Sequence, residues 1–319
     1  MQNNAITALR QQIESVIVGQ TDLIERLIIA VLAGGHVLLE GPPGLAKTTA
    51  VHALASSMSA SFQRIQFTPD LMPGDLTGSD IYQPNDASFH FSAGPLFHQV
   101  ILADEINRAP PKVQSALLEA MAEHQISVGA NTHALPELFL VLATQNPLEQ
   151  TGTYPLPEAQ LDRFLFKLLI GYPTLDEEIE IARRARAANE GHVEAGAQAV
   201  ITPDEILALR QQVTQVYIEP SIERYAVQLV SATRDLDNYK PGWGEFVSTG
   251  ASPRASIALQ RVAMANAMLA GRDYVIPEDV IALAPDVLRH RLVLDFTASA
   301  EGINADIIVQ TLIESITPP

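Results

Sequence analysis

The sequence predicts an α/β fold, a parallel sheet with helices on both faces, followed by an α-helical domain. Three observations carry this expectation. Up to about Tyr172, short apolar runs alternate with helical patterns. After Tyr172 the strand-like runs stop and helical patterns take over. A glycine-rich turn, "GPPGLAKTTA" from Gly41 to Ala50, sits between a strand-like run and a helical one. Strands alternating with helices indicate a parallel sheet covered on both faces. The boundary is expected near "GYPT" (Gly171 to Thr174), giving domains of residues 1–172 and 173–319.

The strand-length runs are, in order, "HVLLE", "FQRIQF", "QVILAD", "LFLVLAT" and "FLFKLLI", each bounded by turn residues. Two patches interrupt them. Residues 79–94 carry a turn cluster, Pro84-Asn85-Asp86, between short apolar stretches, and residues 124–135 have the same form around Gly129-Ala130-Asn131. Both read as β-hairpins, with surface decoration as the plain alternative to a contact role. Beyond Tyr172, Thr174 to Glu177 and Thr202 to Glu205 fit the capping box, the second with Pro203 at the first helical position. Ile206, Leu209, Val213 and Val216 then recur at helical spacing. Ser252 and Pro253 read as the N-cap and first residue of a later helix, with Ile257, Val262, Ala265 and Met268 as its apolar positions. The single tryptophan, Trp243, lies between glycines in "KPGWGEF", as a mobile loop or as a buried anchor.

The 319 residues suffice for two domains, and nearly half are apolar. Acidic residues number 37 against 20 basic, a net charge of −17. Such a chain is a poor partner for a phosphate backbone, so no nucleic acid is expected. Cysteine is absent, which excludes disulfides and thiolate metal sites. The start "MQNNAITALRQQIESV" has no signal-peptide core, and the run "LIIAVLAGGHVLLEG" is too interrupted to span a bilayer, so a cytoplasmic protein without a transmembrane segment is expected.

The pattern G-x-x-x-x-G-K-[ST] describes a phosphate-binding loop between a strand and a helix. Here the residue before the lysine is Ala46. The context fits nonetheless: "HVLLE" precedes the turn, and Val51, Leu54, Ala55 and Met58 mark one helical face after it. Gly41 and Gly44 allow amides to approach phosphate oxygens, Lys47 can reach the β- and γ-phosphates, and Thr48 can hold Mg²⁺. A methyl group at position 46 falls where the backbone enters the helix and should be tolerated. The buried run "VILADE" ends in two carboxylates. Asp104 would hold Mg²⁺ through water, and Glu105, past the strand end, could polarise an attacking water. A helix cap or solvated pair is the alternative. Asn146, at the tip of "LFLVLAT", could hold that water, or could simply form an Asn-Pro turn with Pro147. Arg254, in the first turn after Ser252, opposes the helix dipole unless an anion compensates.

"GPPGLAKT", "ADEINRAPPKVQSALLEAM", "ATQNP", "LPEAQLDRFLFK", "GASPRA" and "APDVLRHRL" together resemble the MoxR family of AAA+ ATPases, over nearly the whole chain from Val16 onward. Alanine before the lysine is common in that family. The resemblance implies a five-stranded AAA+ P-loop core, a helical lid, an insert in helix 2, a hairpin before the sensor strand, and a homo-oligomeric ring, usually a hexamer. It implies ATP and Mg²⁺ as cofactors. Gly41, Pro42, Pro43, Gly44, Leu45, Ala46, Lys47, Thr48 and Thr49 match the Walker A segment, Asp104 and Glu105 Walker B, Asn146 sensor 1 and Arg254 sensor 2. Arg163 in "LDRF" matches the arginine finger, with Arg108 in "NRAP" as a rival. Val18 and Gly19 lie where family members contact adenine. The implied role is a chaperone-like ATPase for a protein client, often with a von Willebrand factor A domain partner and sometimes in metal or cofactor insertion. An ATP-gated scaffold with negligible turnover and a DNA-directed motor are the competing classes. Glu105, Asn146, Arg163 and Arg254 together favour hydrolysis, and the acidity weighs against DNA.

Overall fold

The computed structural model describes residues 2–42, 45, 47–85, 87–146, 152–189 and 197–319. In chain order, α1 (Gln2–Val16) and α2 (Thr21–Ala33) lead into β1 (His36–Glu40), followed by α3 (Lys47–Ser57), β2 (Phe62–Gln66) and α4 (Pro73–Thr77). The hairpin β3 (Gly78–Gln83) and β4 (Ser88–Ala93) precedes β5 (Val100–Asp104) and α5 (Pro111–Glu123). A second hairpin, β6 (Gln125–Val128) and β7 (Asn131–Ala134), precedes β8 (Leu140–Gln145), α6 (Glu158–Leu161) and β9 (Phe164–Leu169). Then come α7 (Leu175–Asn189), α8 (Pro203–Val213), α9 (Pro220–Ala232), β10 (Val247–Thr249), α10 (Pro253–Leu269) and α11 (Pro277–Leu288). The chain closes with β11 (Val293–Leu294), α12 (Phe296–Ala300) and α13 (Ala305–Ser315).

These residues group into two compact units, Met1–Leu156 with Leu168–Leu207, and Pro157–Lys167 with Ala208–Pro319. The first contains β2, β5, β8 and β1, adjacent in that order, of a five-stranded sheet of order β2-β5-β8-β1-β9. The β1–β8, β2–β5 and β5–β8 pairings are parallel. Val37 to Leu39, Val100 to Ala103 and Val141 to Ala143 are fully buried, a continuous rather than alternating pattern that requires cover on both faces. Val51, Leu54, Ala55 and Met58 of the α3 segment are buried as their spacing predicts. The chain is aimed into β1 by the end of α2. Gly34 takes a left-handed conformation (φ 65°), its N–H returns to Val31 O at 3.2 Å, and Gly35 N–H returns to Ala30 O at 3.0 Å.

The hairpins form where their turn clusters place them, each antiparallel. Phe91 of β4 stacks on His133 of β7, with ring centroids 3.8 Å apart, so the two hairpins support each other. Both capping boxes are present: Thr174 and Thr202 each receive the carboxylate of the glutamate three residues on, through amide and hydroxyl, at 2.7 to 2.9 Å.

In the second unit, Ser252 caps α10 by accepting the Arg254 amide, with Pro253 at the first position. The inward face of α10 differs from expectation. Ala255, Leu259, Val262 and Ala265 are buried, whereas Ile257 is exposed and Met268 is half-buried. Alanines carry most of that face, and a reading anchored on the largest apolar side chains is rotated away from it. Strands also do not stop at Tyr172: β10 and β11 pair antiparallel, Val247 opposite Leu294. Segments of three and two residues carry no readable period. Trp243 is half-buried, its ring 5.6 Å from that of Phe246, with Lys240 Nζ 5.6 Å above it, which places it as an anchor rather than a free loop. Among the described residues no helix is long and apolar enough to cross a membrane.

Candidate functional site

Parallel strands in one sheet end on the same edge, and ligands of open α/β sheets bind at the carboxyl ends. The register places Glu40 opposite Gln145 and Ala103 opposite Ala143, so β1, β5 and β8 deliver their last residues side by side. Gly41 leaves β1 where only a hydrogen fits, because a Cβ there would lie 2.6 Å from Ile170 O. A cavity of about 410 Å³ opens over this edge. Lys47, Thr48, Asp104, Glu105 and Asn146 line it.

Lys47 is the first residue of α3, and its Nζ donates to Gly41 O at 2.7 Å. Burial pushes its pKa below the ordinary lysine value, and the attraction of Asp104, Glu105 and Glu40 opposes that shift. Leu45 and Thr49 also line the cavity, and Pro42 is half-buried beside it in sequence. Pro43, Gly44 and Ala46 lie outside the described residues, as does Pro147 of the Asn-Pro pair.

Asp104 ends β5, and Glu105 turns out of it in a left-handed conformation (φ 58°). A non-glycine residue holds that conformation at a cost of about 1–2 kcal/mol, so its surroundings must fix it. Thr144 of β8 supplies the fixing contact: its buried hydroxyl accepts the Glu105 amide at 2.8 Å and donates to Asp104 Oδ1 at 2.6 Å. The other carboxylate oxygens meet cations and amides. Arg64 of β2 donates to Asp104 Oδ2 from Nη2 at 2.5 Å, Gln66 donates to Glu105 Oε2 at 2.8 Å, and Arg108 donates to the same oxygen at 3.0 Å. The rival finger is therefore engaged with a glutamate of its own chain. Asn146 sits at the end of β8 and is 8% exposed.

Thr144, Arg64 and Gln66 were not among the sequence candidates. A signal existed for the last two. In "FQRIQF" positions 64 and 66 share a face of the strand, and both are polar. Thr144 reads only as one more residue of a buried strand.

The donor set suits a hard divalent cation with a triphosphate. Thr48 and Asp104 offer hydroxyl and carboxylate oxygens of the kind Mg²⁺ takes, and Lys47 offers a cation at a helix N-terminus.

Val18 and Gly19 lie in the same unit but do not line the cavity. Gly19 has φ 68°, and a Cβ on it would come within 2.0 Å of Glu177 Oε1. Arg163 and Arg254 belong to the second unit. There Asp162 organises the segment: Oδ1 accepts from the buried Arg291 Nε at 2.8 Å, and Oδ2 accepts from Ser252 Oγ at 3.0 Å. Arg254 reaches Asp162 at 3.9 Å, which offsets part of its unfavourable place at the start of α10. Arg163 is exposed, and its side chain makes no hydrogen bond or ion pair among the described residues. A plain structural role for Arg163, paired with Asp162 or Glu158, is thus not seen among the described residues.

Residues 36–166 match the ATPase family associated with various cellular activities, and residues 244–312 match the AAA lid domain. The chain is 45% identical over 312 residues to Chaperone MoxR1 of Mycobacterium tuberculosis, covering 97% of this chain and 81% of that protein. It is 33% identical over 322 residues to Protein MoxR of Methylorubrum extorquens, covering 92% and 88%. A crystal structure of a suspected ATPase from Cytophaga hutchinsonii matches with a TM-score of 0.92 at 45% identity, covering 100% of this chain and 96% of that one.

Proposed function

The chain belongs to the MoxR family of AAA+ ATPases, and we propose that it binds ATP with Mg²⁺ in the cavity at the sheet edge and hydrolyses it to drive a chaperone-like change in a protein client. One observation carries the hydrolytic reading: a single hydroxyl, that of Thr144, bridges Asp104 and the Glu105 amide in the cavity that Lys47 also lines. Two carboxylates with separate tasks are thereby held side by side.

In this mechanism Lys47 and the loop from Gly41 bind the phosphates, and Thr48 and Asp104 hold the cation. Magnesium, when bound, neutralises charge on the phosphate oxygens. Asn146 orients the attacking water, and the Glu105 carboxylate takes its proton. Val18 and Gly19 bind the adenine. Arg254 contacts the nucleotide as a sensor, and Arg163 acts on the nucleotide of a neighbouring protomer in a homo-oligomeric ring, a hexamer by family resemblance. Arg163 is exposed and without a side-chain partner among the described residues, which supports that role over Arg108, already engaged by Glu105. The hairpin of β3 and β4 exposes Tyr82 and Phe89, and we assign it contact with the client or with a neighbouring subunit; a von Willebrand factor A domain partner is proposed by family resemblance alone. The cytoplasm is the proposed location.

A second reading, an ATP-gated scaffold with negligible turnover, has one observation in its favour. Both Walker-type carboxylates are held by side chains of their own chain, Asp104 by Arg64 and Glu105 by Gln66 and Arg108. Phosphate release from the purified chain, with Mg²⁺ or with chelator and with or without DNA, separates the readings. Mg²⁺-dependent release indifferent to DNA is expected. Tight nucleotide binding without release identifies the scaffold, and stimulation by DNA identifies a DNA-directed motor.

A further inference from the structure

Each oxygen of the Asp104 carboxylate is taken by a side chain from a neighbouring strand. Thr144 of β8 donates to Oδ1 at 2.6 Å. Arg64 of β2 donates to Oδ2 from two nitrogens, Nε at 3.1 Å and Nη2 at 2.5 Å. The parallel β2–β5 register builds this contact in. Gln66 lies opposite Asp104, and Arg64 stands two residues earlier on the same face. Arg64 Nη2 also reaches Gln66 Oε1 at 3.2 Å, so three bonds hold a guanidinium that is half-exposed. Arg64 lines the same cavity as Lys47 and Thr48.

An ionised carboxylate offers about four lone-pair sites. Thr144 uses one of these and the two N–H groups of Arg64 use two more. A divalent cation, or the water it carries, must be accepted by what remains, beside a fixed positive charge. We propose that Arg64 is a tethered competitor for the divalent cation at Asp104, and that it sets the Mg²⁺ concentration at which the site loads. The proposal rests on the reading of the cavity as a Mg²⁺–nucleotide site. It differs from a role in contacting phosphate, which would strengthen nucleotide binding, and from an ordinary surface pair, which would do neither.

The test uses the full chain and a fluorescent, non-hydrolysable ATP analogue, titrated across a series of free Mg²⁺ concentrations. Arg64→Gln is expected to lower the Mg²⁺ half-saturation by about 1.4- to fivefold, the span that removing one partly exposed ion pair supplies. Arg64→Lys keeps a charge with a different donor geometry and should shift it less. In an Asp104→Asn background, Arg64→Gln should change nothing. An unchanged or raised Mg²⁺ half-saturation overturns the proposal. So does a shift that survives in the Asp104→Asn background, and so does a loss of affinity at every Mg²⁺ level, which identifies a phosphate contact. If Arg64→Gln does not fold, Arg64→Lys decides by the same criteria. Failure of the underlying reading looks different: the wild-type chain would then show no Mg²⁺-dependent binding of the analogue.

Discussion

The Thr144 hydroxyl ties Asp104 to Glu105 across two strands, donating to one at 2.6 Å and accepting the amide of the other at 2.8 Å. Thr144→Val keeps the shape and removes both bonds. Leaving the partly buried Glu105 amide unpaired should cost about 1–3 kcal/mol in stability. Misaligned carboxylates should lower kcat on the order of 10–100-fold while KM changes little. Thr144→Ser should restore most of the rate. Steady-state kinetics and denaturant midpoints of the three proteins check this. Equal loss in the valine and serine variants would show that the hydroxyl is not the operative group.

Lys47→Ala should abolish nucleotide binding, because it removes the cation that bridges Gly41 O to the cavity. Glu105→Gln should retain binding and lose turnover by about 10²–10⁴-fold, the usual worth of a general base. Fluorescent-nucleotide titration measures the first and phosphate release the second. Turnover within a few-fold of wild type in Glu105→Gln would assign water activation to another group.

A finger that acts across a subunit boundary predicts complementation. Arg163→Ala and Lys47→Ala chains should each be inactive alone. Mixed rings should recover activity wherever an intact Lys47 site faces an intact Arg163. In GTPases such a finger contributes roughly 10³–10⁵ in rate, and a smaller effect in the same direction is expected here. Mixed rings that form but stay inactive, with recovery only when Arg108→Ala replaces Arg163→Ala, would transfer the role to Arg108.

His290 gives the fold a pH dependence. It is buried, Nε2 donates to Phe164 O at 3.0 Å, and Nδ1 has no partner among the described residues. Burial, reinforced by the charges of Arg291, Lys167 and Arg289, holds its pKa well below the ordinary histidine value. The folded chain therefore keeps it neutral while the unfolded chain protonates it near pH 6.5. Below that pH the unfolded state binds the extra proton, and stability falls by up to about 1.4 kcal/mol per pH unit until the folded pKa is reached. His290→Gln should flatten this slope by one proton between pH 6.5 and 5. Unfolding free energies across that range would show no change in slope if another group is responsible.

The central strands are legible in the sequence because they are buried on both faces. "HVLLE" matches β1 residue for residue, and "QVILAD" exceeds β5 by Gln99 alone. Capping boxes and the Ser252 cap are legible because each rests on one local hydrogen bond between residue types that advertise it. The sheet order β2-β5-β8-β1-β9 is not, since crossovers rather than neighbouring residues decide it. Lys47, Asp104, Glu105 and Asn146 can be found because each ends or begins a recognisable element. Thr144 and Arg64 cannot, because what matters in them is the partner opposite on another strand. The inward face of α10 is misread for a related reason: alanine packs well but carries little hydrophobic contrast.

The contact between Gly19 and Glu177 constrains how this chain can change over generations. Glu177 is fixed by the Thr174 amide and hydroxyl at 2.7 and 2.9 Å, and its carboxylate fills the space a side chain at position 19 would need. Gly19 also holds a left-handed backbone that other residues adopt reluctantly. A lineage that replaces Gly19 must therefore swing the end of the Glu177 side chain away from the Thr174 cap and place a side chain on a left-handed backbone. Change at position 19 thus disturbs the cap made by positions 174 and 177, although positions 19 and 174 lie 155 apart in the sequence.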